Sequence, residues 1–153
     1  YAGDDGGFIY ETGHYKPDRS HSYGSMTYAG VKSLLYARVG KDDVRVRKAA
    51  EWIREHYTLE ENPCFGTTSL YYYYMTFAKC LHALGEETIV DSRGAVHPWR
   101  VELIGKLLSL QKEEGCWVNE DGRYWENIRD LATAYAVTGM KIALQEMISK
   151  PDA

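Results

Sequence analysis

The sequence predicts an all-α fold of helical hairpins set in an inner and an outer layer, and three observations predict it. Apolar residues recur at helical spacing through five stretches of the chain. These stretches alternate between apolar around most of the circumference and apolar on one face only. Similar glycine-plus-aromatic turns, Gly6-Gly7-Phe8 and Gly115-Cys116-Trp117, precede the first and the last of the inner kind. A simple up-down bundle gives every helix one wet face, whereas two concentric layers need an inner set sheltered from water and an outer set covering it.

The first inner helix is expected from Ser22 to Val39, closed by Gly40 in the position after the C-cap, where left-handed backbone is favoured. Next, Val46, Ala50, Ile53 and Tyr57 share one face while Arg45, Lys48, Glu51 and Glu55 take the other, so this helix belongs outside. Asp42 before Asp43 supplies its N-cap and first-turn acidity, and Asn62-Pro63 stops the chain beyond it. The third stretch, Thr67 to Leu84, is apolar or aromatic nearly all round and ends before Gly85. It carries four consecutive tyrosines, Tyr71 to Tyr74, out of thirteen in the chain. Pro98 opens the fourth, with the stripe Trp99, Leu103, Leu107 and Leu110 and with Arg100, Glu102 and Lys106 on its wet side. The fifth, Asp130 to about Met147, begins like the buried kind with Leu131, Ala132, Ala134, Tyr135, Ala136 and Val137. Inner-helix midpoints fall roughly fifty residues apart, at the upper edge of the ~20 to 50 usual for helical repeats.

With 153 residues, 44% of them hydrophobic, the chain is expected to form one domain over 1–153. A net charge of -4 with scattered Lys and Arg gives no footprint for nucleic acid. No apolar run reaches the ~18 to 20 residues that span a bilayer. The opening Tyr1 to Gly7 has no signal-peptide pattern and begins inside a loop-like stretch, so a C-terminal part of a longer protein is expected, its compartment unread. Cys64, Cys80 and Cys116 make an odd set without zinc spacing, so neither a disulfide framework, a metal nor a cofactor is expected. His14, His21, His56, His82 and His97 show no metal or triad spacing, and His82 reads as a core histidine.

The run from Leu107 to Trp117 resembles the QW repeat of squalene and hopene cyclases, with Gln111 ending an outer helix, a short spacer, then Gly115-Cys116-Trp117. Gln can bond exposed backbone groups at the helix end, Gly permits the turn, and the Trp ring covers it. The segments from Ser22 to Gly30 and from Leu131 to Ala136 resemble inner helices of bacterial prenyltransferase and squalene-oxidase-repeat proteins. The resemblance spans nearly the whole chain and implies an α/α-toroid, here as a partial ring. It speaks to architecture before chemistry, because such rings serve cyclases, protein prenyltransferases and thioester proteins.

Each branch makes a demand on the residues. Class II cyclases use an Asp-x-Asp-Asp acid, which neither Asp4-Asp5 nor Asp42-Asp43 matches; Asp4 and Asp5 stay as catalytic candidates beside their reading as a solvated turn. Protein prenyltransferases bind zinc through Asp, Cys and His, but no Asp stands two residues before Cys64, which reads as a small buried residue. The Cys-Gly-Glu-Gln segment of thioester proteins is absent.

If the inner helices run parallel, their N-termini share one mouth that gathers Tyr23, Thr67, Thr68, Tyr71, Tyr72 and Asp130, with Arg123 and Trp125 at the rim. The Tyr71 to Tyr74 run, with Tyr23 and Tyr28, forms a candidate lining for a central cavity where aromatic faces stabilise a carbocation or stack on a sugar or lipid; four consecutive helical residues spread over the circumference, so at most about two of them face any one cavity and core packing is expected for most of the rings. The expected role is a squalene-cyclase-like or prenyltransferase-like repeat domain that binds an isoprenoid or other hydrophobic molecule. A carbohydrate-active α/α-barrel is the rival, with Glu126 and Asp130 as its only nominated carboxylates, and a protein-binding scaffold is the third reading. An incomplete ring leaves an apolar flank, so self-association or a partner chain is expected to finish it.

Overall fold

The computed structural model describes residues 2–10 and 21–149, with side chains as far as residue 145. Its regular structure is five α-helices and one short hairpin: α1 Gly24–Tyr36, α2 Val44–Glu55, α3 Leu70–Leu84, β1 Ile89–Val90, β2 Val96–His97, α4 Trp99–Leu110 and α5 Arg129–Ser149. The class is all-α. Helix α3 lies between α1 and α5, α2 packs on α1, and α4 packs on α5. One continuous core joins all five helices, with Tyr28, Trp52, Phe77, Leu103 and Ala136 among its buried members.

Helix α3 meets the expectation of burial on nearly every side, since ten of its fifteen residues are buried. Its tyrosines divide by direction. Tyr71, Tyr73 and Tyr74 send their hydroxyls to the carbonyls of Val118, Thr58 and Leu59, at 3.4, 2.7 and 2.7 Å. Each ring fills core while its hydroxyl satisfies a loop carbonyl that burial would otherwise strand. Tyrosine rather than phenylalanine is therefore required by the loops around α3.

The flanking helices α1 and α5, which the sequence reads as inner, differ from expectation. Helix α1 buries only Gly24, Ser25, Thr27, Tyr28 and Val31, and its last residue, Tyr36, is 68% exposed. In α5 the fully buried positions are the small residues Ala132, Ala136 and Ala143, while Val137 is 49% exposed. A Cβ on Gly139 would sit 3.4 Å from the Tyr74 carbonyl oxygen, so this small-residue stripe is what brings α5 close to α3. Both helices pack chiefly on α3, and besides it α1 packs on α2 and α5 on α4.

The outer helices also shift the sequence reading. Asp43, not Asp42, caps α2, accepting the Arg45 backbone N–H at 2.9 Å, and the buried face is Val46, Ala49, Trp52 and Ile53. Tyr57 lies past the helix end. In α4, Arg100 is buried rather than solvated, because α5 packs there: its guanidinium donates to the Ile142 and Ala143 carbonyls at 3.0 and 3.4 Å and lies over the Trp99 ring. Gly40 does not close α1. Arg38 holds the left-handed position at φ 60°, with Arg38 N–H bonded to Leu35 O and Val39 N–H to Leu34 O. Gly85 closes α3 with the same bond pattern.

The hairpin was outside the sequence reading. Asp91 builds its turn, accepting the Arg93 and Ala95 N–H groups, and those bonds hold its carboxyl below the ordinary aspartate value. No helix among the described residues is long and apolar enough to cross a membrane.

Candidate functional site: an aromatic pocket at three helix N-termini

The loops entering α3 and α5 each carry a buried polar side chain that closes the N-terminus of an earlier helix, α1 and α3 respectively. Asn62 accepts the Ser25 N–H of α1 at 2.8 Å, and its amide donates to Ser25 Oγ and the Thr68 carbonyl. Its neighbour Pro63 accepts the Gly24 N–H at 2.9 Å. Glu126 serves α3 in the same way, with Oε2 accepting the Tyr71 N–H at 3.2 Å and Oε1 the Tyr72 N–H at 2.8 Å. Asn119 braces it, donating to Glu126 Oε2 at 2.9 Å and to the Thr67 carbonyl at 2.7 Å. Such a cap is needed because Ser69, ahead of α3, is left-handed at φ 55° and makes no side-chain cap bond.

The same loops enclose a pocket of about 330 Å³. The start of α1 contributes Tyr23, Ser25 and Met26; the approach to α3 contributes Phe65 and Ser69, and α3 itself Tyr72. The approach to α5 adds Tyr124, Trp125 and Glu126, and its first turns Leu131 and Tyr135. Tyr10 completes the lining. The pocket thus draws on the N-terminal turns of α1, α3 and α5, which begin at one end of the molecule. Tyr23 stacks on Phe65 with ring centroids 4.4 Å apart, Phe65 leans on Tyr124 at 6.2 Å, and Tyr72 meets Tyr135 edge-on at 5.6 Å. Burial and the neighbouring Tyr135 push the Tyr72 phenol up. Trp125, held at φ 62° and 70% exposed, stands at the rim.

Of the residues nominated from sequence, Tyr23, Tyr72 and Trp125 line this pocket, and Thr67, Thr68 and Tyr71 do not. Thr67 is exposed and offers its carbonyl to Asn119. Thr68 donates to Asp121 Oδ2 at 2.6 Å, a bond that holds the Asp121 carboxyl below its ordinary range. Tyr71 points the other way to Val118, its phenol pushed up to about 12 by burial and by the Glu126 carboxylate. Asp130 is exposed in the first turn of α5 and does not line the pocket, so Glu126 and Asp130 do not face one another across it. Asp4 is exposed, and Asp5 is structural, accepting Ser22 Oγ at 2.6 Å and Trp52 Nε1 at 3.1 Å. Cys64 is exposed rather than buried, on a left-handed turn residue at φ 62°. His14 lies outside the described residues.

The sequence reading missed Tyr10, Phe65, Tyr124 and Tyr135 as lining. Phe65 beside Gly66, and Tyr124 two residues after Gly122, were the available signal: an aromatic near a glycine on each approach to an inner helix. Between the α4 end and this site, the Gln111-to-Trp117 run folds into a tied turn. Gln111 Nε2 donates to the Gly115 carbonyl at 3.0 Å, Gly115 turns at φ 79°, and the buried Trp117 indole donates to the Leu107 carbonyl at 2.8 Å. That last bond satisfies an orphan carbonyl of the final turn of α4.

A second polar cluster sits away from the pocket. The His97 ring stacks on Tyr57 at 4.1 Å, its Nδ1 lies 3.1 Å from Glu102 Oε1, and its Nε2 lies 3.4 Å from Asp91 Oδ2. Tyr57 donates to Glu102 Oε2 at 2.6 Å. The cluster clasps the hairpin to α4, and no group of three or more His, Cys, Asp or Glu among the described residues is arranged to hold a metal ion. No protein-family profile, no curated protein and no solved structure matches this chain.

Proposed function

We propose that the chain is a piece of a squalene-cyclase-like or prenyltransferase-like repeat protein, a partial α/α-toroid whose aromatic pocket binds a hydrophobic small molecule. The observation that carries the binding reading is the pocket itself, a concave, mainly aromatic site of a size that holds small ligands, built where three helices begin. Two correspondences support the repeat. The Phe8 N–H donates to Thr27 Oγ1 of α1 at 3.0 Å, and the Trp117 N–H donates to Thr133 Oγ1 of α5 at 3.1 Å, so the two glycine-plus-aromatic turns tie to their helices alike. Asn62 and Glu126 likewise cap successive inner helices from the next loop.

Because Asp4, Asp5 and Asp130 do not line the pocket, the reading is one of binding and not of a named reaction. Titration with a farnesyl alcohol, followed by Trp125 fluorescence, is expected to saturate and to lose its signal and affinity in Trp125→Ala. Linear, non-saturating quenching would remove the isoprenoid reading. The exposed ring of Trp125 favours an oligosaccharide as the second reading, since a flat sugar face stacks on such a platform. Saturable binding of an oligosaccharide with none of the farnesyl alcohol would select it.

A further inference from the structure

We infer that the ligand of this pocket carries an organic cation, an ammonium head group on an apolar body. The inference rests on the reading of the pocket as a binding site and names the chemistry it selects. Seven of its twelve lining residues are aromatic, and the one charged side chain among the described lining residues is the Glu126 carboxylate. Aromatic faces are electronegative and attract a cation that enters between them, most strongly where water is excluded.

The carboxylate adds the decisive sign. Glu126 is 1% exposed, so solvent ions screen its charge poorly. It sits on the N-terminus of α3, whose dipole is worth about half a positive charge, so the carboxylate more than cancels it. Asn62 closes α1 with a neutral amide that takes one backbone N–H, whereas Glu126 takes two with its two carboxylate oxygens. Glu126 also lines the aromatic pocket, so its negative charge stands beside the rings.

An anionic ligand is disfavoured by the same geometry. Four of the first-turn N–H groups that would receive it, those of Gly24 and Ser25 in α1 and of Tyr71 and Tyr72 in α3, are taken by Pro63, Asn62 and Glu126, and α5 carries Asp130 in its first turn. A purely neutral hydrocarbon would gain burial from the rings and nothing from the carboxylate.

The test is calorimetric titration of the whole chain with choline and with its uncharged isostere, in which a tert-butyl group replaces the trimethylammonium group. Choline is expected to bind about tenfold more tightly than the isostere, the scale of a desolvated cation–π contact. Glu126→Gln, which keeps an oxygen for the α3 cap, is expected to shrink that preference several-fold. Equal or tighter binding of the isostere overturns the cation inference and leaves the pocket standing, as does binding of farnesyl alcohol with no binding of choline. If none of the three binds, the pocket reading falls with it. The wild-type comparison decides the matter even where Glu126→Gln does not fold.

Discussion

At the scale of single residues, two positions show how local chemistry sets stability. Arg38 occupies the left-handed position that ends α1, where a side chain costs roughly 1 to 2 kcal/mol that glycine escapes. Arg38→Gly is therefore expected to stabilise the fold by about 1 kcal/mol, read as a higher urea midpoint with an unchanged slope. Asp43 makes a fork with Arg45 at 2.9 Å through both carboxylate oxygens, besides its bond to the Arg45 N–H. The Arg45 side chain first, and its backbone N–H second, lower the carboxyl from 3.8 to about 2. A depressed folded value means that the contribution is present above the ordinary 3.8 and is lost as pH falls towards 2. The stability gap between wild type and Asp43→Ala is thus expected to close across that window in acid-titrated unfolding. The cap of α2 was legible to within one residue because an aspartate ahead of a periodic run is a strong start signal. The end of α1 was not, because Gly40 drew the reading while the chain turned two residues earlier on an arginine, a choice that residue type does not announce.

At the scale of elements, α3 depends on a side chain fifty-five residues further along the chain. Glu126→Ala leaves the Tyr71 and Tyr72 N–H groups buried without their acceptor, and a loss of about 2 to 4 kcal/mol is expected, with Glu126→Gln losing less. Hydrogen exchange at Tyr71 and Tyr72 checks the cause, since a loss spread evenly over the molecule with no excess at those amides would contradict it. Periodicity found all five helices, since each buries an apolar stripe long enough to register. It misjudged Arg100, because a guanidinium on a helix reads as solvated unless the carbonyls of Ile142 and Ala143 are known to lie against it. It passed over the hairpin, whose two-residue strands are too short to alternate. Tyr72 and Trp125 line the pocket and Tyr71 does not: adjacent helical residues diverge by about 100°, so one of such a pair faces the pocket and the other the core.

At the scale of the molecule, α5 presents Val137, Met140 and Leu144 along an apolar groove of about 570 Å³, next to Lys141 and Gln145. A helix with an apolar flank left uncovered by α3 and α4 is expected to seek a neighbour. Light scattering behind size-exclusion chromatography is expected to give a mass above the 17.5 kDa of one chain, and Val137→Lys to return it to that value. A monomer at all concentrations in the wild type would mean that this flank stands alone in solution. Of the three helices that the sequence reads as buried, α3 alone is sheltered on most sides; α1 and α5 read as fully buried because their apolar content exceeds what their neighbours here cover. The caps also carry a meaning for synthesis on the ribosome. Asn62 lies thirty-seven residues after the amide it closes, and Glu126 fifty-five after its own, so each inner helix emerges with an open start that only later translation seals. A nascent chain halted before Glu126 would hold α3 with its Tyr71 and Tyr72 N–H groups unsealed.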